Sequence, residues 1–237
     1  MKRTLVAPMV MLCCGFASSS LAQGLEPVIV NNWDDDFCRD SGTSVAGLIA
    51  GIDVYGPVRG AEAIGETEDL IVSPDGEVLA LIAEIGGFLD IGDVHVSVPW
   101  EVVEFGEGWA RVPIMEANVG DYQLLDGETE YRAITGGITA GVDDLDPGAG
   151  AWRATNFIGD LVDTRDGVSF GRVQDLIISG DEAKAIIISP NLGFDLFTQY
   201  AVPFQPLAEG EWSPGDQVFQ LVYDETEMED IGAFACD

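Results

Sequence analysis

The chain has 237 residues and a formal charge of −32, from 10 Lys plus Arg against 42 Asp plus Glu. An apolar content of 47% rules out a wholly disordered acidic chain, which lacks the surface to bury. The charge argues against a nucleic-acid-binding surface, which needs clustered Lys and Arg, and 29 glycines favour turns and short strands over long helices.

Residues 1–22 read as a secretory signal. Lys2 and Arg3 give the positive start, and Leu5 to Ala17 form an apolar stretch of 13 residues interrupted by Pro8. That stretch is too short to span a bilayer. Ser20-Leu21-Ala22 supplies the small residues of a cleavage site, so cutting is expected after Ala22. Neither Cys13 nor Cys14 follows the small residue that precedes a lipidated cysteine. No later stretch reaches about 18 uncharged apolar residues, so no integral membrane segment is expected after cleavage. The expected location is periplasmic or secreted. The remaining 215 residues carry a charge of −34, with Lys184 the one lysine left.

Two cysteines survive cleavage, Cys38 and Cys236, near the two ends of the mature chain. Chain ends often lie close together in compact folds, and an exported chain meets oxidising conditions. A Cys38–Cys236 disulfide is expected, contributing roughly 4–5 kcal/mol in the chain-entropy model. Two unrelated thiols are the alternative. Residues 23–42, with Trp33, Asp34, Asp35, Asp36 and Phe37, read as an N-terminal arm.

The body of the chain repeats. Residues 64–75 (IGETEDLIVSPD) and 170–181 (FGRVQDLIISGD) share six of twelve positions at an offset of 106: Gly65/Gly171, Asp69/Asp175, Leu70/Leu176, Ile71/Ile177, Ser73/Ser179 and Asp75/Asp181. Beyond small gaps, ALIA (80–83) faces AIII (185–188), and VSVPW (96–100) faces YAVPF (200–204). Trp109 followed by Val112 to Met115 resembles Trp212 followed by Val218 to Val222. Upstream, Gly51 and Val54 resemble Gly159 and Val162. Both copies read as strands. Val94, Val96 and Val98 alternate with His95, Ser97 and Pro99, and Tyr200, Val202 and Phe204 repeat that face. Asp75-Gly76 and Gly180-Asp181 are turn signals between apolar runs. Val78 to Ile82 and Ala185 to Ile188 are apolar on both faces, which implies cover on both sides.

The pattern I-G-x-x-x-D-L-I-V-x-x-D-G, an apolar strand, G-G-F-L-x-I-G and V-x-V-P-W resembles a PRC-barrel domain. Gly65, Asp69, Leu70, Asp75, Gly76, Gly86, Gly87, Phe88, Ile91, Gly92, Val98, Pro99 and Trp100 carry the likeness. The second copy departs from it, with Gly193-Phe194 alone for the paired glycines and Phe204 for the tryptophan. The resemblance implies an all-β protein of two small PRC-type barrels in tandem, with short helical or irregular segments. The expected units are the first barrel at 43–125, a linker at 126–150 rich in Gly, Asp and Thr, and the second barrel at 151–223. An acidic C-terminal segment follows at 224–237. The family has no shared catalytic residues and is mostly adaptor-like, which implies an unknown protein partner and no active site or cofactor.

The residues that could carry chemistry point the same way. His95, the one histidine, faces away from Val94 and Val96 on its strand. Ser44 in GTSVAG imitates a nucleophile turn, but nothing in the sequence brings it to His95. One His and two distant Cys are too few for zinc. Asp143, Asp144 and Asp146 precede Pro147-Gly148 and are weak calcium candidates beside Asp34 to Asp36. Neither cluster has the spacing of a dedicated loop, and a hydrated acidic loop is the plainer reading. The acidic excess also suits life at high salt, which screens self-repulsion. In the loop 86–92, Phe88, Leu89 and Ile91 are costly to expose. Either they fold back over the barrel mouth or they form a partner-binding tip. The expected role is a non-catalytic protein-interaction or envelope scaffold module, with a periplasmic cation- or small-ligand-binding protein as the alternative.

Overall fold

A computed structural model describes residues 42–86, 94–115, 117–119, 123–125, 151–191, 199–207, 211–231 and 233–234. The described chain opens with strand β1 (Thr43–Ser44) and helix α1 (Val45–Leu48). Strands β2 (Asp53–Tyr55), β3 (Ala63–Val72), β4 (Val78–Ile85), β5 (Val94–Pro99), β6 (Glu104–Gly106), β7 (Trp109–Arg111) and β8 (Gln123–Leu125) follow. They form a sheet in the order β6-β7-β2-β3-β4-β5-β8, antiparallel except where β7 lies parallel to β2. The Asp75-Gly76 turn joins β3 to β4, and Gly76 takes the left-handed φ of 88° that the turn needs. Gly65 has a different reason. A Cβ there would fall 1.9 Å from the Glu84 carbonyl oxygen of β4, so the close approach of the two strands leaves no room for a side chain.

Strand β9 (Trp152–Arg153) and helix α2 (Ala154–Phe157) precede the second sheet. That sheet comprises β10 (Leu161–Asp163), β11 (Ser169–Ser179), β12 (Glu182–Pro190), β13 (Gln199–Pro203), β14 (Val218–Gln220) and β15 (Ala233–Phe234), ordered β14-β10-β11-β12-β13-β15. This is the order β7-β2-β3-β4-β5-β8 of the first sheet, including a parallel pair, β10 with β14. The irregularities match too. The first sheet shifts register between Thr67 and Asp69 and between Ile71 and Val72, and the second between Val173 and Asp175 and between Ile177 and Ile178. Gly171 repeats Gly65, with a Cβ 2.2 Å from the Ser189 carbonyl oxygen. Between β13 and β14, no strand among the described residues takes the place of β6.

The two sheets exchange their lead segments. β1 runs ahead of β2 in the chain but pairs with β11, Ser44 opposite Ile177. β9 runs ahead of β10 but pairs with β3, Arg153 opposite Ile71. The hairpin turns also meet, through Val78 N–H to the Asp181 carbonyl and Ala183 N–H to the Gly76 carbonyl, each at 2.7 Å. Trp100 donates its indole N–H to Gly180 of the opposite turn at 3.1 Å. Phe204 in turn lies against Gly76, where a Cβ would come within 2.6 Å of its ring. The units expected at 43–125 and 151–223 therefore share their first residues crosswise, so the sheet boundaries do not follow chain order.

One hydrophobic core runs through both sheets, from Val45, Leu70 and Val98 to Trp152, Phe157, Leu176 and Val202. Aromatic rings join its parts. Phe157 of α2 stands edge-on to Trp212 at 5.1 Å and to Phe219 at 4.9 Å, and Trp152 stands edge-on to Trp212 at 5.3 Å. Smaller buried clusters lie apart from that core: Ile71, Ala80 and Ile82 in one sheet, Ile177, Ala185, Ile187 and Ala201 in the other. Those strands are covered on both faces, as their unbroken apolar runs require. The matching of Trp109 with Trp212 is not how the chain pairs. Ala110 lies beside Val54 and Phe219 beside Val162, so Trp109 corresponds to Val218, while Trp212 sits outside the strands in the aromatic cluster. Among the described residues no helix is long and apolar enough to cross a membrane.

Candidate functional site

Phe88, Leu89 and Ile91 lie outside the described residues, as do Asp143, Asp144, Asp146, Cys38 and Cys236. The described candidates are held by other contacts. Ser44 donates its hydroxyl to Asp175 at 2.5 Å and accepts from Gly47 N–H, capping α1. His95 Nδ1 lies 2.5 Å from Glu68 Oε2, and both side chains are about one-third exposed, 30% and 37%. Ser44 pairs with the second sheet and His95 belongs to the first, so the structure does not join them as nucleophile and base. Among the described residues no group of three or more His, Cys, Asp or Glu is placed to hold a metal ion.

The repeated aspartates do something the sequence reading did not assign. Asp69, 1% exposed, accepts from its neighbour Leu70 N–H, from Thr155 N–H and from the Thr155 hydroxyl. Asp175 accepts from Leu176 N–H, from Ala46 N–H and from the Ser44 hydroxyl. Each carboxylate thus satisfies free donors at the start of the short helix led in by the other half of the chain. Burial pushes the Asp69 carboxyl above its ordinary pKa, and the three donors and Arg153 pull back against it. The signal was in the sequence: an Asp kept at the same place in both halves, followed by the same Leu-Ile.

A concavity lies in the second half of the chain, against β12, β13 and β14. Its volume is about 430 Å³, and Ile186, Val202, Leu207, Phe219 and Leu221 supply much of the apolar wall. Arg165 stands on its lining with its guanidinium already engaged, by the Val222 carbonyl at 2.8 Å, Asp224 at 2.7 Å and Glu227 at 3.1 Å. Gln205 also lines it, and its Oε1 is buried with no hydrogen-bond partner among the described residues. In the first sheet Phe105 of β6 pairs opposite Ala110 and lies 4.7 Å from the Trp100 ring. In the second, the chain after β13 lines the cavity through Gln205, Pro206 and Leu207, with Leu207 N–H bonded to the Pro74 carbonyl. Sequence reasoning missed the cavity because its lining comes from separate stretches of the chain, from Arg165 to Tyr223, and has no motif.

The PRC-barrel domain family profile matches residues 49–119. That span holds β2 to β7, and so most of the first sheet with its Gly65, Asp69 and Trp100. No curated protein matches the chain.

Proposed function

We propose that the chain is an exported, non-catalytic protein of two PRC-type barrels in tandem, working as a protein-interaction or envelope scaffold module. The observation that carries this reading is the reciprocal capping by Asp69 and Asp175. The carboxylates that both halves keep at one position hold the halves together, and a rigid two-part body offering surfaces suits an adaptor. The PRC-barrel match over β2 to β7 and the common strand order of the sheets support the tandem. Export rests on the signal-like residues 1–22, and the Cys38–Cys236 disulfide rests on export.

Photo-crosslinking in exporting cells tests this. A crosslinking residue at Phe88, Leu89 or Ile91 should trap discrete protein partners on chains that begin at Gln23. Phe88→Ser should abolish capture with unchanged melting. No crosslinked species from any of the three positions, or chains retaining residues 1–22 in the cytoplasm, would overturn the proposal. Alkylation without reductant should leave Cys38 and Cys236 unmodified.

A small-ligand-binding role is the second reading, and the 430 Å³ cavity favours it. A thermal-shift screen of apolar small molecules separates the two. A saturable rise in melting that Leu221→Trp abolishes would favour the ligand.

A further inference from the structure

We infer that the cavity against β12, β13 and β14 takes a small apolar amine, a compact hydrophobic body that carries an ammonium group. The inference rests on the ligand-binding reading and names the class of ligand.

The floor suits the apolar body. Ile186, Val202, Phe219 and Leu221 line it and are buried. Their places are fixed by strand pairing: Ile186 of β12 stands opposite Val202 of β13, and Phe219 of β14 stands beside Val162 of β10. Walls set by a sheet are formed before a ligand arrives, and a volume of about 430 Å³ is that of a small-molecule site.

Hydrogen bonding decides the head group. The side-chain donors on the lining are engaged. Gln220 Nε2 donates to the Asp163 and Thr164 carbonyls, which leaves its oxygen as the acceptor end. Arg165 donates to the Val222 carbonyl and to Asp224, and lies 3.1 Å from Glu227. The acceptors remain. Gln205 Oε1 is buried without a donor among the described residues, and Glu211 places a carboxylate on the same lining. An acceptor left without a donor in a desolvated site is costly, so the fitting ligand brings N–H groups. An ammonium brings three and a carboxylate none.

Charge points the same way. Glu211 on the lining, with Asp224 and Glu227 behind it, outweighs the one cation, Arg165, and the whole chain carries −32. A cation is drawn to such a site and an anion is repelled. Phe219 and Tyr223 add aromatic rings to the lining, and a ring face attracts a cation.

The test is calorimetric titration of tryptamine, tryptophol and indole-3-propionate into protein expressed from the full sequence. The three share one ring system and end in an ammonium, a hydroxyl and a carboxylate. Tryptamine should bind saturably with a Kd below about 1 mM. It should bind at least tenfold tighter than indole-3-propionate, with tryptophol between them. Ethylamine, the cation without the ring, should not displace it. Leu207→Trp places an indole on the lining, keeps the backbone bond to Pro74, and should weaken tryptamine at least tenfold with unchanged melting. Leu221→Trp is the second variant, and the three-compound order with the ethylamine competition decides the matter should neither fold. Equal or tighter binding of tryptophol or indole-3-propionate overturns the amine class and leaves the ligand-binding reading standing. Displacement by ethylamine, or binding that a folded variant leaves intact, marks adsorption to the acidic surface and overturns the inference. No saturable tryptamine binding overturns it too, and a blank screen of apolar molecules alongside takes the ligand-binding reading with it.

Discussion

Thr155 gives Asp69 both its hydroxyl, at 2.5 Å, and its backbone N–H, at 3.2 Å, across 86 residues of sequence. Ser44 and Ala46 treat Asp175 in the same way across 131 and 129 residues. A contact so distant in sequence forms late and joins whole units, so it acts on cooperativity as well as on stability. Asp69→Ala leaves three donors without their acceptor in a buried place. A loss of roughly 2–4 kcal/mol is expected, read from the urea midpoint. Asp175, which is less buried, should cost less when changed to Ala. A loss under about 0.5 kcal/mol for Asp69→Ala would show that the cap does not hold the halves.

The buried Asp69 carboxyl also sets a pH dependence. Its folded pKa lies above its ordinary value, so the folded state holds the proton more tightly than the unfolded chain. The stabilising contribution is present in full below the unfolded pKa of about 3.9 and is lost as pH rises through the folded value. Asp69→Asn cannot charge. Its unfolding free energy should therefore fall less between mildly acidic and neutral pH than that of the unaltered chain. Paired denaturant curves across that range check the sign, and a steeper fall in the Asn variant contradicts it.

Much of the strand framework was legible because it rests on local chemistry. Asp75-Gly76 marks a turn, Val94-Val96-Val98 marks a face, and the 106-residue offset lines up β3 with β11. The crosswise pairing of β1 and β9 was not legible, since two-residue strands have no period and their partners lie in the other half of the chain. Trp109 and Trp212 misled because a shared residue type stood in for a shared register. The strands on either side, Val54 with Ala110 and Val162 with Phe219, fix that register only in three dimensions. The two aspartates were visible as identities, but their acceptor role depends on which helix start arrives beside them.

Gly65 and Gly171 should resist substitution equally, although neither takes a left-handed backbone. A methyl at Gly65 meets the Glu84 carbonyl oxygen at 1.9 Å and one at Gly171 meets the Ser189 carbonyl oxygen at 2.2 Å. Neither neighbour is a flexible side-chain end, so the strands must part. Gly65→Ala and Gly171→Ala should each cost roughly 1–3 kcal/mol. Gly60→Ala is the comparison, since its methyl would meet nothing within 4 Å and its penalty comes from a φ of 81° alone. Thermal melts of the three variants should rank Gly60→Ala least harmful.

The exchange of lead segments makes a stronger demand on excised pieces. Residues 49–125 contain every strand of the first sheet from β2 to β8 but lack β9 and α2. Without β9, the edge of β3 at Ile71 and Val72 loses its partner, and the buried Trp152 and Phe157 leave the core. Asp69 loses two of its three donors at the same time. A fragment of 49–125 should accordingly melt without a cooperative transition, whereas 49–158, which regains β9 and α2, should melt cooperatively. Within the full chain, Phe157→Ala removes the ring that touches Trp152, Trp212 and Phe219, and should cost roughly 3–5 kcal/mol. Equal melting of the two fragments would mean that the first sheet is self-sufficient, and that the crossing of β9 onto β3 adds contact without adding stability.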